Sequence, residues 1–287
     1  MSDALVSPPV FVATGAVSLA LLGVAAWKVK HAKNDRREAD GDSERIVPLM
    51  GVMGAFVFAA QMINFSIPGT GSSGHLVGGI LLSAILGPWA ALITLASVLV
   101  IQCLAFADGG FMALGANILN MAVFSCLVAY PLIFKPLMKP DASPGRILAA
   151  SVLASVAGLE LGALAVTVET EASGITALPM GQFLLFMLPI HLFIGIGEGL
   201  ATAAVIYVVQ RYKPELLSGV CRRKPAGKRK FGKALAAIAL AALLIGGVLT
   251  NNLHHQAFRP ALGTETLEAA YIHGWVYYLA MAWSVAL

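Results

Sequence analysis

The chain has 287 residues, of which 58% are hydrophobic and only 12% charged, with a net charge of +4 and a mean hydropathy of +0.82. A soluble domain carries about 25% charged residues, so this chain has too few charges to coat a water-facing surface, and a soluble catalytic domain is excluded. The basic residues fall in short runs between apolar segments with no interleaved aromatics, which speaks against nucleic acid. Cys103, Cys126 and Cys221 show neither CxxC spacing nor a disulfide framework.

Apolar runs of roughly 17 to 25 residues recur, the length that crosses about 30 Å of hydrocarbon. The expected fold class is an all-α, polytopic transmembrane helix bundle. A first span over about Pro8 to Val29 lacks a basic n-region and is read as a retained helix rather than a signal peptide. A charged linker follows, and a second span covers about Ile46 to Phe65, ending at a loop rich in Gly and Ser from Pro68 to Gly74. The stretch His75 to Phe106 is broken at Gly87-Pro88, because proline removes a helical hydrogen bond and glycine loosens the backbone. Two spans result, the first of them short.

Further spans are expected over about Leu114 to Phe134, Arg146 to Val168, Gln182 to Val209, Ala234 to Leu249 and Ala269 to Leu287. The count is about seven spans in a domain over residues 1–213, a basic linker over 214–233, and about two more in an extension over 234–287. Basic loops follow spans one, five and seven. The positive-inside rule makes all three cytoplasmic, and alternate crossings then place the N-terminus, the Pro68 to Gly74 loop, the Asp108 turn and the Glu169 to Leu178 loop outside. The expected location is the cell (inner) membrane, multi-pass.

The run Gly69-Thr-Gly-Ser-Ser-Gly-His75 matches G-x-G-x-x-G and, up to the last position, a P-loop. Both fingerprints require a βαβ unit, whereas here the run joins two membrane spans, so ATP hydrolysis on this chain is not expected. Gly71 and Gly74 allow tight folding, Ser72 and Ser73 add hydroxyls, and His75 is expected to open the next helix with its imidazole near the outer surface. An imidazole there suits nickel, cobalt, copper or zinc, or else simply caps the helix.

His191 and Glu198 lie seven residues apart on one helix and share a face. Glu160 sits in Gly158-Leu-Glu-Leu-Gly162. Ionisable groups at membrane depth are functional candidates; the alternative is that they pair with one another or with backbone to hold helices together. Gly51, Ala55 and Ala59 form one stripe of small residues, and Gly158 with Gly162 makes a GxxxG, both read first as packing surfaces. No HExxH-like motif points to an intramembrane hydrolase.

Several separated runs carry a family resemblance. They are Asn64-Phe-Ser-Ile-Pro-Gly-Thr-Gly-Ser-Ser-Gly-His-Leu76, the Gly87-Pro88 break, Phe106-Ala-Asp-Gly-Gly110 with Ala113-Leu-Gly-Ala-Asn-Ile-Leu-Asn120, and His191 to Gly199. Over roughly Met1 to Lys213 the chain resembles the CbiM/NikM family, the substrate-specific membrane subunits of energy-coupling-factor transporters for cobalt and nickel. The resemblance implies a non-catalytic, seven-helix subunit whose transported substrate is Ni2+ or Co2+, with no organic cofactor. Its implied partners are a transmembrane coupling (T) subunit and cytoplasmic ATPase subunits. In that family nitrogens of the N-terminal amine, of the second residue's backbone and imidazole, and of a loop histidine hold the metal, which implies Met1 and His75 here.

Members of the family begin Met-His, whereas this chain begins Met1-Ser2-Asp3-Ala4-Leu5-Val6-Ser7-Pro8. That run is similar to the residues after Met-His in members beginning M-H-M-x-D-A-L-x-S-P. The expectation is therefore a start placed two residues late; the alternative is an incomplete site. The tail from about Lys228 resembles, more weakly, a fused accessory subunit of the NikN/CbiN type. If that tail does not serve, a separate small N-type membrane subunit is implied. The competing functional reading is a stand-alone secondary transporter or channel that uses His191, Glu198 and Glu160 as an ion path.

Overall fold

A computed structural model describes residues 1–39, 46–62, 64–67, 70, 72–106, 108–139, 142–176 and 178–217. The chain divides into two compact units, Met1–Gln61 with Ser66–Ala226, and Met62–Phe65 with Gly227–Leu287. The described helices all belong to the first unit. The expected spans over 234–249 and 269–287, most of the basic linker and Gly71 lie outside the described residues.

The elements run α1 (Pro8–Ala39), α2 (Ile46–Gln61), β1 (Asn64–Ile67), β2 (Ser72–His75), α3 (Gly79–Leu86) and α4 (Pro88–Phe106). They continue as α5 (Leu114–Leu137), α6 (Pro144–Ser173) and α7 (Met180–Tyr212). Short 3-10 turns over Asp3–Leu5 and Pro214–Leu216 flank the bundle. Residues 8–31 of α1 and the whole of α4, α5, α6 and α7 are long and apolar enough to span a bilayer. Their outer faces expose large apolar side chains such as Leu19, Leu132, Leu185 and Phe193, as lipid contact requires.

The break at Gly87-Pro88 falls where expected. Gly87 takes φ +81° between α3 and α4, a conformation open to glycine at little steric cost. At eight residues α3 is about 12 Å long, too short to cross. All eight of its residues are buried, so it lies within protein rather than against lipid. In α5 the stretch Ile118–Phe134 is wound in the wider π form, and the Lys135 amide closes onto the Tyr130 carbonyl five residues back, with Pro131 inside the turn. A proline lacks the donor that a regular turn would use there.

Glycines set how closely the last helices approach. A Cβ on Gly195 would lie 2.8 Å from the Cα of Val156, and one on Gly199 would collide with the Val152 backbone, so α7 rides directly on α6. Gly158 meets Ser125, and Gly162 meets the Asn120 backbone on α5; the GxxxG is therefore an internal packing surface. The other stripe differs from expectation. Gly51 and Ala55 are exposed, and it is Gly54, with Thr94 against it, that seats α2 on α4, because the helical face turned to α4 passes through 54 rather than 51.

Three further expectations are corrected. The second span stops at Gln61, and Asn64–Ile67 pairs with Ser72–His75 in a two-stranded sheet of β1 and β2, so Ser72 to Gly74 are strand rather than plain loop. His75 ends β2 instead of opening a helix; α3 begins at Gly79, after Gly78 at φ +75°. Finally, α6 continues to Ser173, where Gly174 at φ +63° stops it, which places Glu169 inside the helix and buried instead of in a loop.

Candidate metal-capture site

The N-terminal segment is folded back into the bundle. The Met1 carbonyl accepts from the Gly110 amide at 3.1 Å and from Asn117 Nδ2 at 3.2 Å. The Asp3 carboxylate accepts from the amides of Phe111 (3.1 Å) and Ala113 (3.0 Å), capping the residues that lead into α5. The Ser7 amide donates to Ser173 Oγ at 3.0 Å, and that hydroxyl donates to the Glu169 carbonyl at 2.7 Å. The Met1 side chain packs on a small apolar cluster of Ile67, Ala163, Val166, Phe183 and Met187. Together these contacts bring the starts of α1 and α5 and the end of α6 to one end of the bundle.

His75 lies at the same end, within electrostatic reach of the Met1 amine and of Asp108. Its Nδ1 sits 2.9 Å from the Leu76 carbonyl. A carbonyl only accepts, so Nδ1 carries the proton and Nε2 keeps its lone pair, the form in which imidazole binds a metal. Burial pushes His75 below the usual imidazole range, opposed by the Leu76 carbonyl and by Asp108. Burial likewise lowers the Met1 amine, opposed by Asp108 and Glu169. Desolvation thus favours the neutral, ligating form of both nitrogens.

The hairpin bearing His75 is anchored at Thr70 and at Gly74. Thr70 Oγ1 donates to the Ile67 carbonyl at 2.9 Å and accepts from the Ser72 amide at 3.2 Å. Ser72 is buried and Ser73 half-buried. Gly74 lies against α7: a Cβ there would meet Ile194 Cδ1 at 2.5 Å and the His191 ring at 3.6 and 3.7 Å. His191 thus backs the strand at Gly74 and lies within electrostatic reach of both His75 and the Met1 amine. His191 Nδ1 donates to the Met187 carbonyl at 2.8 Å.

Glu198 accepts from the Val77 amide at 2.5 Å. The His191 contact stays within α7, whereas Glu198 reaches the link that follows β2. Glu160 is half-buried on α6 and is not brought to this end's hydrogen-bond network. Among the described residues, no three His, Cys, Asp or Glu side chains gather as a metal cage.

Sequence reasoning missed Asp3, Asn117, Gln61, Gln102 and the pair in which Asn120 Nδ2 donates to Glu169 at 2.7 Å. The only signal was that Asn117 and Asn120 are amides in an otherwise apolar span, and amides at that depth need partners.

The profile describing the cobalt uptake substrate-specific transmembrane region, CbiM, matches residues 1–216. This chain belongs to the CbiM family. It is 33% identical to a protein of Archaeoglobus fulgidus that carries a fused NikMN nickel-transport name, over 79% of this chain and 70% of that one. It is 34% identical to the fused nickel transport protein NikMN of Rhodobacter capsulatus, over 77% of this chain and 65% of that one. A crystal structure of a truncated transition metal transporter superposes with a TM-score of 0.62 at 32% identity, covering 73% of this chain and 97% of that one. The CbiM-family chain is a multi-pass membrane transport protein for metal ions and not an enzyme.

Proposed function

We propose that this CbiM-family chain is the substrate-binding membrane subunit of an energy-coupling-factor importer for Ni2+ or Co2+. The ion is captured at the outer face between the N-terminal segment and His75. It is released inward when cytoplasmic ATPase subunits drive rearrangement against a transmembrane coupling subunit. The supporting observation is the placement, at one end of the bundle, of the desolvated Met1 amine and of a half-buried His75 ring whose Nε2 lone pair is left available. Neutral nitrogens of this kind suit late first-row divalent ions.

The outward orientation draws on charge. Lys28 and Lys30 on α1, Lys135 on α5, Arg146 on α6 and Arg211 on α7 all lie toward the helix ends opposite the capture site, and basic residues favour the cytoplasmic side. Residues 1–213 form the binding subunit in this reading, 214–233 a cytoplasmic linker, and 234–287 a fused accessory unit of the NikN type.

The competing reading, a stand-alone secondary transporter or channel, needs His191, Glu198 and Glu160 free to carry ions. It has less support, because Glu198 is engaged with Val77 and His191 with Met187.

The test is uptake of radioactive Ni2+ or Co2+ into liposomes holding the chain with its coupling and ATPase subunits. His75→Ala is expected to reduce ATP-dependent uptake to background. Full uptake by that variant, or uptake by the chain without any ATPase, overturns the proposal.

A further inference from the structure

Two residues beyond His75, two helices hold one residue and a third supports one of them. The Val77 amide donates to Glu198 Oε2 on α7 at 2.5 Å. Its carbonyl accepts from Gln61 Nε2 on α2 at 2.8 Å, and Gln61 Oε1 accepts from Gln102 Nε2 on α4 at 2.9 Å. The three polar side chains are 0%, 2% and 3% exposed for Gln61, Gln102 and Glu198. Placing them in a bundle surrounded by lipid is costly unless each is paired. Apolar side chains could fill the same volume without that cost, so packing alone does not account for them.

The position explains the expense. Leu76 to Gly78 belongs to no helix or strand, and Gly78 turns at φ +75° directly against Val57. This short link is where the hairpin is joined to the buried α3. Its backbone groups have no ladder to fix them, and whatever fixes them also fixes the direction in which the adjacent β2 leaves. The network also has a single polarity. Gln61 must donate to a carbonyl, so its own oxygen faces Gln102, which must then donate; neither amide can be reversed without setting like groups together.

We propose that Glu198, Gln61 and Gln102 are positioning residues that clamp Val77 by both main-chain groups and so set where His75 presents Nε2 to the incoming cation. The proposal rests on the capture role given to His75 above. In it the Glu198 carboxylate acts as a hydrogen-bond acceptor. Glutamine at 198 preserves the acceptor and loses the charge, whereas alanine loses both.

The experiment uses the full chain in detergent or nanodiscs. Affinity for Ni2+ is measured by chelator competition, and Cu2+ serves as a spectroscopic probe by electron paramagnetic resonance. Loss of an outer partner that orients a ligand typically weakens metal binding by about 10- to 100-fold. Glu198→Ala and Gln61→Leu are expected to weaken Ni2+ at least about tenfold and to change the Cu2+ hyperfine splitting. Gln102→Leu, which reaches the hairpin only through Gln61, should weaken it less. Glu198→Gln should stay within about threefold of the unaltered chain with its spectrum unchanged.

If Glu198→Gln is as defective as Glu198→Ala, charge rather than positioning is at work and the clamp is overturned. It is also overturned if the alanine and leucine variants keep both affinity and spectrum while His75→Ala loses binding. The same holds if they lose binding but the residual Cu2+ spectrum is unaltered, the mark of a fraction simply unfolded. Unchanged binding in His75→Ala instead sinks the capture reading, and the role given to the clamp with it.

Discussion

Gly110 and Asp3 occupy the same space: a side chain on Gly110 would collide with both the carboxylate and the amide nitrogen of Asp3. The absence of a Cβ lets the first three residues lie against the turn before α5. There the Gly110 amide holds the Met1 carbonyl, and Asp3 receives the amides of Phe111 and Ala113. A position so far along the chain thereby decides where the N-terminus sits.

Gly110→Ala is therefore expected to expel the N-terminal segment. Backbone is the obstacle, so a small rotamer change cannot relieve it. Ni2+ affinity should fall about tenfold or more, and amide exchange at residues 1–6 should accelerate. Asp3→Asn, which keeps one acceptor oxygen, should weaken binding less. Unaltered affinity and exchange in Gly110→Ala would show that the segment is held by other contacts.

Acid should release the metal, because protons compete for the same lone pairs. Burial lowers both the Met1 amine, ordinarily at 8.0, and His75, ordinarily at 6.5. Both are thus neutral at pH values where an exposed amine or imidazole would already be charged. For the chain beginning at Met1, affinity should hold as pH falls to 8 and drop at lower pH, with the His75 contribution lost only below the usual imidazole range. Asp108 raises both groups, so Asp108→Asn should move the midpoint of the drop to lower pH. Titration of Ni2+ binding between about pH 4 and 9 decides it; a midpoint at or above 8 in the unaltered chain refutes the burial argument.

The α6–α7 contact makes a paired prediction. Gly199→Ala forces the two backbones apart and should cost about 1–3 kcal/mol, the usual cost of overpacking. Gly197, two residues earlier and with nothing within 4 Å of its missing Cβ, faces outward. Gly197→Ala should be neutral or stabilise by up to about 1 kcal/mol through helix propensity. Thermal unfolding in detergent compares the two, and equal effects would argue against a close α6–α7 approach.

Much of the membrane architecture was legible in the sequence because span length, proline breaks and charge placement act locally. The Gly87-Pro88 break, the apolar runs and the basic ends are properties of contiguous residues, and α4, α5, α6 and α7 lie close to where those runs place them. The hairpin was not legible. Ser72 to His75 carries neither alternation nor β-branched residues, and it pairs with β1 only because the chain doubles back there. Glu169 read as a loop residue because charge normally marks a helix end; in the bundle Asn120 and the N-terminus come to it.

The candidate site divides along the same line. Met1 and His75 could be named from the sequence through a family resemblance that depends on residue order. The contacts that seat them could not, since Met1 is held by Gly110 and Asn117 and His75 by its neighbours in the bundle only through the packing of α1, α5 and α6. Composition by itself determined that this chain lives in lipid, because 12% charge cannot solvate a surface. Only tertiary structure decided that Asp3 meets the turn before α5 and that Gln61 and Glu198, with Gln102 behind Gln61, meet the link after His75. Buried polar groups must find partners wherever the fold puts them, and sequence separation says nothing of where that is.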